Sequence, residues 1–398
     1  MVYTSNYGGH DDYSRYGAAA SHVSKTEPDN LNHAPLYPYS VPPTTQPATP
    51  EPATPRSRFD PRGWSLRRKI IVGAVVVVVI VVVIVAPYEG WKANRYPNYT
   101  RLNYALKDTY EGTTFFDDFQ YFSGYDPAQG FVHYVDQPGA AFLNLTYASD
   151  TSAVLKVDTS PVDASTGRRS VRIQSKKTYN DGLFIFDVLH SPYGCGTWPA
   201  LWLADPWDWP TNGEIDVMEA NNAATAGNQM TLHTTKGCTM NVKRKQLGTV
   251  LAKDCYNGTN SNAGCGVEGP PSTYGPEFNA NGGGVYATEL RKEGIRVWFF
   301  PRSSIPSDIS NPNASPDPST WGAPLADFPS TNCDITSHFR NQSIIANIDL
   351  CGQLAGQPRF YNEQFQCPGT CTQFVASNPA AFTNAYWEFK SFKVYQAT

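Results

Sequence analysis

Hydrophobic residues follow three different patterns along this chain of 398 residues. The first 69 residues are rich in Pro, Ser, Thr and Tyr and have no apolar periodicity. Residues 70–86 form one uninterrupted run of 17 apolar or small residues. From about residue 98 onward, short alternating apolar runs are broken by Gly, Pro, Asn and Asp. The pattern therefore predicts a tail (1–69), an apolar segment (70–86), a linker (87–97) and a folded domain (98–398).

The folded domain carries the signature of β-strands. "GGVYATELRKEGIRVWFF" predicts two strands joined by a turn at Lys292-Glu293-Gly294, and "AYWEFKSFKVYQ" predicts a terminal strand with Trp387 and Phe389 on one face. "DGLFIFDVLH" and "SVRIQSKK" predict two further strands. No long segment shows the 3.6-residue period of a helix. We therefore expect residues 98–398 to form one all-β sandwich.

The apolar run at residues 70–86 has the length of a short membrane span. Seventeen residues are too many for a buried strand. A cleaved signal peptide does not fit the long leader or the absence of an A-x-A-like site after the run. A signal anchor fits both, and Tyr88 and Trp91 suit the membrane interface that follows it. Six basic residues cluster on the N-terminal flank of the run: Arg56, Arg58, Arg62, Arg67, Arg68 and Lys69. The positive-inside rule then predicts a type II protein with a disordered cytoplasmic tail at residues 1–69.

Cysteines and glycosylation sequons place the folded domain outside the cytoplasm. All eight cysteines lie between residues 195 and 371, and five Asn-x-Ser/Thr sequons lie at or after residue 98. Together they indicate a lumenal or extracellular compartment and four disulfides, whose pairing eight cysteines leave open among 105 possibilities. "CPGTC" lacks the second Cys or His pair of a zinc site. The net charge of -4 shows no basic footprint for nucleic acid.

Three carboxylates stand close together in "NGEIDVMEA", at Glu214, Asp216 and Glu219. In a regular strand Glu214 and Asp216 share a face and Glu219 points to the opposite one. Two arrangements are open: either Glu219 faces away, or a β-bulge near Val217 or Met218 returns it to the face of the other two. A buried unpaired Glu is costly, and bulges concentrate beside active sites, so we predict the bulge.

Three acids on one surface repel one another and add no stability, but they can separate their pKa values. Retaining glycoside hydrolysis needs that separation, because it uses one ionised carboxylate and one carboxylic acid across the scissile bond. Asp216 would hydrogen-bond the nucleophile and orient it. Tryptophans suited to stacking on sugar rings precede the acids in "CGTWPALWLADPWDWP": Trp198, Trp202, Trp207 and Trp209. The alternative interpretation is a solvated acidic face beside core tryptophans.

At these residues the chain resembles glycoside hydrolase family 16, in the fungal endo-1,3(4)-β-glucanase (laminarinase-like) branch. "NGEIDVMEA" is similar to the bulged form of its Glu-x-Asp-x-x-Glu signature. The similarity continues through "CGTWPALWLADPWDWPTNGEIDVMEANN", "NQMTLHTTKGC", "NAGCGV", "FNANGGGVYA" and "VWFFPRSSIP", and it covers residues 98 to 396. The resemblance implies a β-jelly-roll sandwich with a concave substrate cleft.

The resemblance also implies roles for individual residues. Glu214 would be the nucleophile, Asp216 its helper and Glu219 the general acid/base. Three residues would contact the substrate: Trp198, Trp202 and His233. The implied substrate is a β-glucan with 1,3 or mixed 1,3/1,4 linkages, cleaved by a monomeric catalytic domain without a cofactor or catalytic metal.

The membrane segment sets this chain apart from the secreted laminarinases, and it resembles the type II layout of family 16 proteins that build wall glucan. Two alternatives to hydrolysis therefore remain: a membrane-anchored transglycosylase or glucan-assembly protein, and a glucan-binding protein without catalysis. All three acids are present, which argues against the binding protein. Scattered histidines and the missing Lys-Ser/Thr after "NANGGGVYA" argue against metal-dependent and phosphate-binding enzymes.

Overall fold

The computed structural model describes residues 60–398 of the chain. Residues 1–59 of the predicted cytoplasmic tail lie outside the described residues. A short 3₁₀ turn occupies Pro61–Gly63, with the Asp60 carboxylate accepting a hydrogen bond from the Arg62 backbone N–H at 3.0 Å. Residues 60–69, assigned to the tail from the sequence, therefore include a capped turn and the start of a helix.

One helical rod contains the predicted membrane segment. Helix α1 (Leu66–Ile80) continues through a π-helical turn (Val81–Val85) into helix α2 (Ala86–Asn94). The π turn ends two residues before Pro87, which has no N–H to donate and would clash with the carbonyl four residues earlier in a regular α-helix. The stretch Leu66–Trp91 is long and apolar enough to cross a membrane, with a mean hydropathy of 3.4 in its best window. The rod extends past residue 86, so the predicted linker is partly helical.

Eighteen strands form the body of the described chain. In chain order they are β1 (Tyr104–Glu111), β2 (Phe119–Tyr121), β3 (Val132–Tyr134), β4 (Thr146–Ala148), β5 (Ala153–Lys156), β6 (Arg168–Ser170), β7 (Arg172–Tyr179), β8 (Gly182–His190), β9 (Thr197–Ala204), β10 (Glu214–Glu219), β11 (Gln229–His233), β12 (Thr249–Val250), β13 (Val267–Glu268), β14 (Gly284–Arg291), β15 (Gly294–Pro301), β16 (Ala326–Pro329), β17 (Gln342–Leu350) and β18 (Tyr386–Ala397). Six short helices lie between them: α3 (Gln137–Phe142), α4 (Gly275–Ala280), α5 (Ser307–Ser310), α6 (Ile335–His338), α7 (Gly352–Ala355) and α8 (Cys371–Ser377).

Two antiparallel sheets of eight strands each contain nearly all of these strands. The first has the order β16-β15-β14-β8-β18-β5-β4, with β1 also paired to β18; the second has the order β12-β13-β11-β10-β9-β17-β7-β2. Strands β3 and β6 form a separate parallel pair. The predicted hairpin is confirmed, because β14 and β15 pair in register from Gly284↔Pro301 to Arg291↔Gly294. "SVRIQSKK" is not one strand: the chain leaves β6 at Val171 and joins the second sheet in β7.

The main hydrophobic core lies between the two sheets. The first sheet contributes Phe186, Phe389 and Phe392, and the second contributes Leu201 and Ile348, all at most 1% exposed. The predicted common face of Trp387 and Phe389 is confirmed, since their rings stack at 5.4 Å and point into this core. A smaller apolar cluster covers the outer face of the first sheet. The predicted all-β sandwich is therefore confirmed.

Four disulfides cross-link the loops of the sandwich, as the cysteine count predicted. They join Cys195 to Cys367, Cys238 to Cys333, Cys255 to Cys265 and Cys351 to Cys371, and they leave no cysteine free. One of them, between Cys255 and Cys265, closes a loop of ten residues that reaches the candidate active site.

Candidate active site

Strand β10 carries the three acids in the middle of the second sheet, between β9 and β11. Its register with both neighbours shifts after Asp216. Asp216 pairs with Thr231 of β11 and Glu219 pairs with Gln229, so three residue steps along β10 lie opposite two along β11. The same shift appears against β9. One residue of β10 is thus extra, and the bulge predicted at Val217 or Met218 is confirmed. Glu219 returns to the outer face of the sheet with Glu214 and Asp216.

The Asn228 side chain closes this bulge. A bulge leaves backbone groups without their usual ladder partners, and such groups are costly when buried. Asn228 Nδ2 donates to the Val217 carbonyl at 2.8 Å, and its Oδ1 accepts from the Glu219 backbone N–H at 3.0 Å. Its own backbone N–H donates to Thr273 Oγ1 at 2.9 Å. Asn228 is fully buried, so one amide side chain holds the backbone on both sides of the extra residue.

A glycine turn leads the chain into β10. Gly213 adopts φ 69°, and a Cβ there would lie 2.3 Å from the carbonyl oxygen of His338. Only glycine combines this left-handed conformation with so close an approach. The residue that precedes Glu214 in "NGEIDVMEA" therefore has a structural reason to be Gly.

The loop before this turn brings a tryptophan to Glu214. The buried Asp205 carboxylate accepts hydrogen bonds from the Trp207 backbone N–H at 3.1 Å and from Asn212 Nδ2 at 2.8 Å. Burial would raise the pKa of Asp205, but the full set of hydrogen bonds to its carboxylate lowers it. The loop that Asp205 closes carries Trp209, whose Nε1–H donates to Glu214 Oε2. Glu214 thus has a donor that the sequence analysis did not assign to it.

Glu219 has a tryptophan donor as well. Trp198 lies two residues from Ala200, the register partner of Glu219 on β9, and its Nε1–H donates to Glu219 Oε1 at 2.8 Å. Burial raises the pKa of Glu219; the Trp198 hydrogen bond and the nearby His233 oppose this rise, while the charge of Glu214 adds to it. The site therefore favours a protonated carboxyl at Glu219 to higher pH than usual.

Asp216 lies between the two glutamates and is 3% exposed. Its burial, then the charges of Glu214 and Glu219, then a hydrogen bond with Glu214 raise its pKa well above the usual range. His233 Nε2 approaches Asp216 Oδ2 at 3.4 Å, and His233 Nδ1 lies 3.0 Å from Asn262 Oδ1. Because the amide oxygen only accepts, Nδ1 carries the proton.

Trp202 is opposite Asp216 in the register and lies on the same face. Its Nε1–H donates to Asn347 Oδ1 at 2.8 Å, and Asn347 Nδ2 donates to Tyr134 OH at 3.1 Å. The Arg172 guanidinium covers the Trp202 ring at 5.0 Å from its centroid. Trp202 is therefore a half-buried ring with a fixed orientation.

A second acidic group adjoins the site on β17. Asp349 is paired with Trp198 in the register and is 3% exposed. Its burial and then the charge of Asp126 raise its pKa well above the usual range, while the charge of Arg172 opposes them. The chain passes so close to it that a Cβ on Gly130 would overlap Asp349 Oδ1.

The structure brings all six predicted site residues to one face of the second sheet. Sequence reasoning missed four polar residues that hold them and one donor: Asn228, Asn262, Asn347, Arg172 and Trp209. Trp209 was part of the recognised aromatic run, and its spacing of five residues from Glu214 could have suggested the contact. The three asparagines carry no distinguishing signal in a single sequence.

The site combines a carboxylate that accepts from an N–H donor with a nearby carboxyl of raised pKa, on the outer face of an antiparallel sandwich. Such a pair is typical of a glycoside hydrolase. A family model described as the XgeA-like catalytic GH16 domain matches residues 119–395. The chain belongs to glycoside hydrolase family 16, and the resemblance inferred from the sequence is confirmed.

Curated relatives agree with this family. A probable glycosidase of Schizosaccharomyces pombe is 48% identical over 308 residues, which are 76% of this chain and 72% of that protein. An endo-1,3(4)-β-glucanase of Arthroderma benhamiae is 41% identical over 304 residues, which are 74% of this chain and 65% of that protein.

Solved structures of the family have the same fold. Laminarinase 16A of Phanerochaete chrysosporium, solved with 6-O-glucosyl-laminaritriose in its donor and acceptor sites, is 46% identical and has a TM-score of 0.72 over 74% of this chain and 100% of that one. An elongating GH16 β-1,3-glucosyltransferase is 39% identical, with a TM-score of 0.68 and the same coverage of both chains. The sandwich is thus the jelly roll of the GH16 laminarinases.

Proposed function

We propose that the chain is an endo-acting, retaining β-glucanase that hydrolyses internal 1,3 or mixed 1,3/1,4 β-glucosidic bonds. One observation carries the proposal: the bulge in β10 puts Glu214, Asp216 and Glu219 on one face. The relatives named endo-1,3(4)-β-glucanase and the laminarinase with bound glucans support the substrate class. Glu214 and Glu219 are both partly exposed on the outer face of the sheet, where an internal segment of a polysaccharide can reach them.

The reaction divides between the two glutamates. Glu219, protonated by virtue of its raised pKa, donates its proton to the glycosidic oxygen while the Glu214 carboxylate attacks the anomeric carbon. The glycosidic C–O bond breaks, and a glycosyl ester on Glu214 forms. Ionised Glu219 then takes a proton from a water molecule, whose oxygen attacks the same carbon and releases Glu214. Two inversions give a product with retained configuration.

Asp216 and the aromatic residues serve these steps indirectly. Protonated Asp216 donates a hydrogen bond to Glu214, which stabilises the departing carboxylate during hydrolysis of the ester. Trp198 and Trp202 present half-buried rings on the same face for sugar contacts, and His233 supports Asp216.

Variants of the two glutamates test these roles. Glu214→Gln is expected to abolish the release of reducing sugar from laminarin while laminarin binding persists. In Glu214→Gly, azide replaces the missing carboxylate nucleophile and is expected to yield an α-glycosyl azide. In Glu219→Gly, azide replaces water in attacking the ester on Glu214 and is expected to yield a β-glycosyl azide. Wild-type activity in Glu214→Gln, or the reverse pattern of azides, would refute the assignment.

A second candidate function is transfer of the glycosyl unit to another glucan. It is favoured by the likeness to the elongating β-1,3-glucosyltransferase, which has the same fold at 39% identity. Both reactions share the ester on Glu214 and differ only in whether water or a sugar hydroxyl attacks it. Products longer than a defined laminari-oligosaccharide substrate would demonstrate transfer, and only shorter products would demonstrate hydrolysis.

We also propose that residues 70–86 anchor the chain in a membrane as a type II protein, with residues 98–398 as the catalytic domain. The apolar rod and the basic residues before it support this topology, as do the disulfides after it. Resistance of the full chain to alkaline carbonate extraction, together with protease protection of the catalytic domain in sealed vesicles, is the expected result. Extraction into the soluble fraction would refute the anchor.

A further inference from the structure

The segment that follows the helical rod is bound to the sandwich. Thr331 Oγ1 donates to the Arg95 carbonyl at 3.2 Å, and Lys245 Nζ lies 4.2 Å from the centre of the Tyr96 ring. The Arg296 guanidinium lies 4.0 Å from the centre of the Tyr99 ring. The catalytic domain therefore begins to pack against its own chain directly after the rod, without a free linker.

Lys245 belongs to a segment, residues 243–251, that contacts β16 at the edge of the first sheet and ends in β12 at the edge of the second sheet. Its inner side is occupied: the Lys245 backbone N–H donates to Asp327 Oδ2 at 2.7 Å, and the Gly248 N–H donates to the Leu325 carbonyl at 2.9 Å. Its outer side is exposed. Alternate residues, Lys243, Lys245 and Leu247, are exposed to solvent.

This outer side combines basic and apolar residues. Leu247 is 74% exposed, and Val250 and Leu251 are 39% and 48% exposed. Isolated exposed apolar residues are ordinary, but this group follows two exposed lysines within the sequence "KRKQLGTVL". Lysines beside exposed aliphatic side chains are typical of surfaces that lie in the interface of a bilayer, with the cations among lipid phosphates.

The position of the segment supplies a second argument. Tyr96, which Lys245 contacts, lies five residues beyond Trp91, where the candidate span ends. Five residues span at most about 17 Å even when fully extended. The segment thus contacts the chain a few residues after the point where the chain would leave the membrane.

We propose that residues 243–251 form a second membrane contact, which seats Leu247 in the lipid interface and Lys243 and Lys245 against phospholipid phosphates. The proposal rests on the membrane anchor proposed above. It assigns this surface to the bilayer that holds the rod, rather than to glucan, because the segment offers no aromatic ring for a sugar. The contact would limit the orientations of the catalytic domain relative to the membrane.

A single fluorescent label tests the contact. Every native cysteine is in a disulfide, so Leu247→Cys provides one free thiol for an environment-sensitive dye on the full chain. In lipid nanodiscs we expect emission at shorter wavelength and less quenching by aqueous iodide than for Phe142→Cys, whose native side chain is 89% exposed. Equal quenching at the two positions would overturn the proposal.

Charge variants provide the second readout. Lys243→Glu with Lys245→Glu should reverse the protection of the label at 247 in phosphatidylcholine nanodiscs, whereas Lys390→Glu should not. Unchanged protection in the double variant would also count against the proposal. Carbonate extraction of the same samples separates the two ideas: an integral protein with an unprotected label retains the anchor and loses the contact, and an extractable protein loses both.

Discussion

Asn228 Oδ1 accepts a hydrogen bond from the Glu219 backbone N–H at 3.0 Å, while Asn228 Nδ2 donates to the carbonyl of Val217. The two bonds fix the bulge that turns Glu219 toward the site. Asn228→Ala leaves both backbone groups unpaired and lets the bulge move. Because a displacement of about 1 Å can cost about 10²-fold in rate, we expect kcat on laminarin to fall by about that factor with a small change in KM. Steady-state kinetics measure both constants.

A matched variant distinguishes displacement of Glu219 from a general loss of fold stability. Asn279 is also an amide that caps a loop, with its Oδ1 accepting from the Ser191 backbone N–H at 2.8 Å, but it does not contact the acids. Asn279→Ala should lower the melting temperature and leave kcat nearly unchanged. Equal losses of kcat in the two variants would show that Asn228 acts only through general stability.

With Glu219 as the proposed general acid, we expect the hydrogen bond from Trp198 Nε1 to influence the alkaline side of the pH profile. This bond stabilises the ionised carboxylate and so lowers the Glu219 pKa against the effect of burial. Trp198→Phe keeps a ring and removes the donor, so the pKa of Glu219 should rise further. A general acid that stays protonated to higher pH moves the alkaline limb of the kcat/KM profile to higher pH. Trp207→Phe, at an 85% exposed ring, should leave the limb in place.

The three acids show what could be predicted from the sequence. Their spacing alone made a regular strand chemically improbable, and the bulge followed from the need to bring Glu219 back to one face. The residues that make the bulge stable could not be found in this way. Asn228 reaches β10 from nine positions away, and nothing in the sequence distinguishes it from other loop asparagines.

The strand predictions show the same limit. The hairpin at Lys292-Glu293 was visible because alternation and turn residues are local properties. The break at Val171 was invisible, because it depends on which sheet each half of the stretch joins. Likewise the rod continues to Asn94 beyond the apolar run, since helical backbone requires no apolar side chains.

Asp349 makes the stability of the domain depend on pH. Its pKa is raised in the folded state, mainly by burial, so the folded chain keeps a proton that the unfolded chain loses above about pH 4. Stability from this group is therefore present at low pH and decreases as the pH rises toward the folded pKa. Asp349→Asn keeps an acceptor for the Leu350 N–H and cannot ionise. We expect a higher melting temperature than wild type at neutral pH and a vanishing difference near pH 4, measured by thermal unfolding of the full chain in detergent.

An ion-paired aspartate provides the control. Asp187 Oδ1 accepts from Arg302 at 2.6 Å near the surface. Asp187→Asn removes this attraction and should lower the stability at neutral pH by up to about 1 kcal/mol, the opposite sign to Asp349→Asn. A destabilising effect of Asp349→Asn at neutral pH would mean that its carboxylate is ionised and paired.

The loop closed by Cys255 and Cys265 should matter more for catalysis than its size suggests. Three consecutive loop residues, Asn260, Ser261 and Asn262, have positive φ, a conformation that costs about 1–2 kcal/mol for each non-glycine residue. The disulfide holds this strained stretch in place, and Asn262 Oδ1 then fixes the Nδ1 proton of His233. Replacing both cysteines by Ala should therefore lower kcat/KM on laminarin as well as the stability, the latter by about 3 kcal/mol for a loop of this length.

Two comparisons isolate that chain of contacts. In Asn262→Gly, the glycine adopts the positive φ without strain but lacks the Oδ1 acceptor for His233. This variant should reproduce the loss of kcat/KM with little loss of stability. Replacing Cys238 and Cys333 by Ala opens a loop with a sequence separation of 95 and should cost more stability, about 5 kcal/mol, yet preserve kcat/KM below the melting temperature. If Asn262→Gly keeps wild-type kcat/KM, the orientation of His233 does not depend on this loop. If it loses activity as predicted, a cross-link outside the site positions the imidazole that faces Asp216.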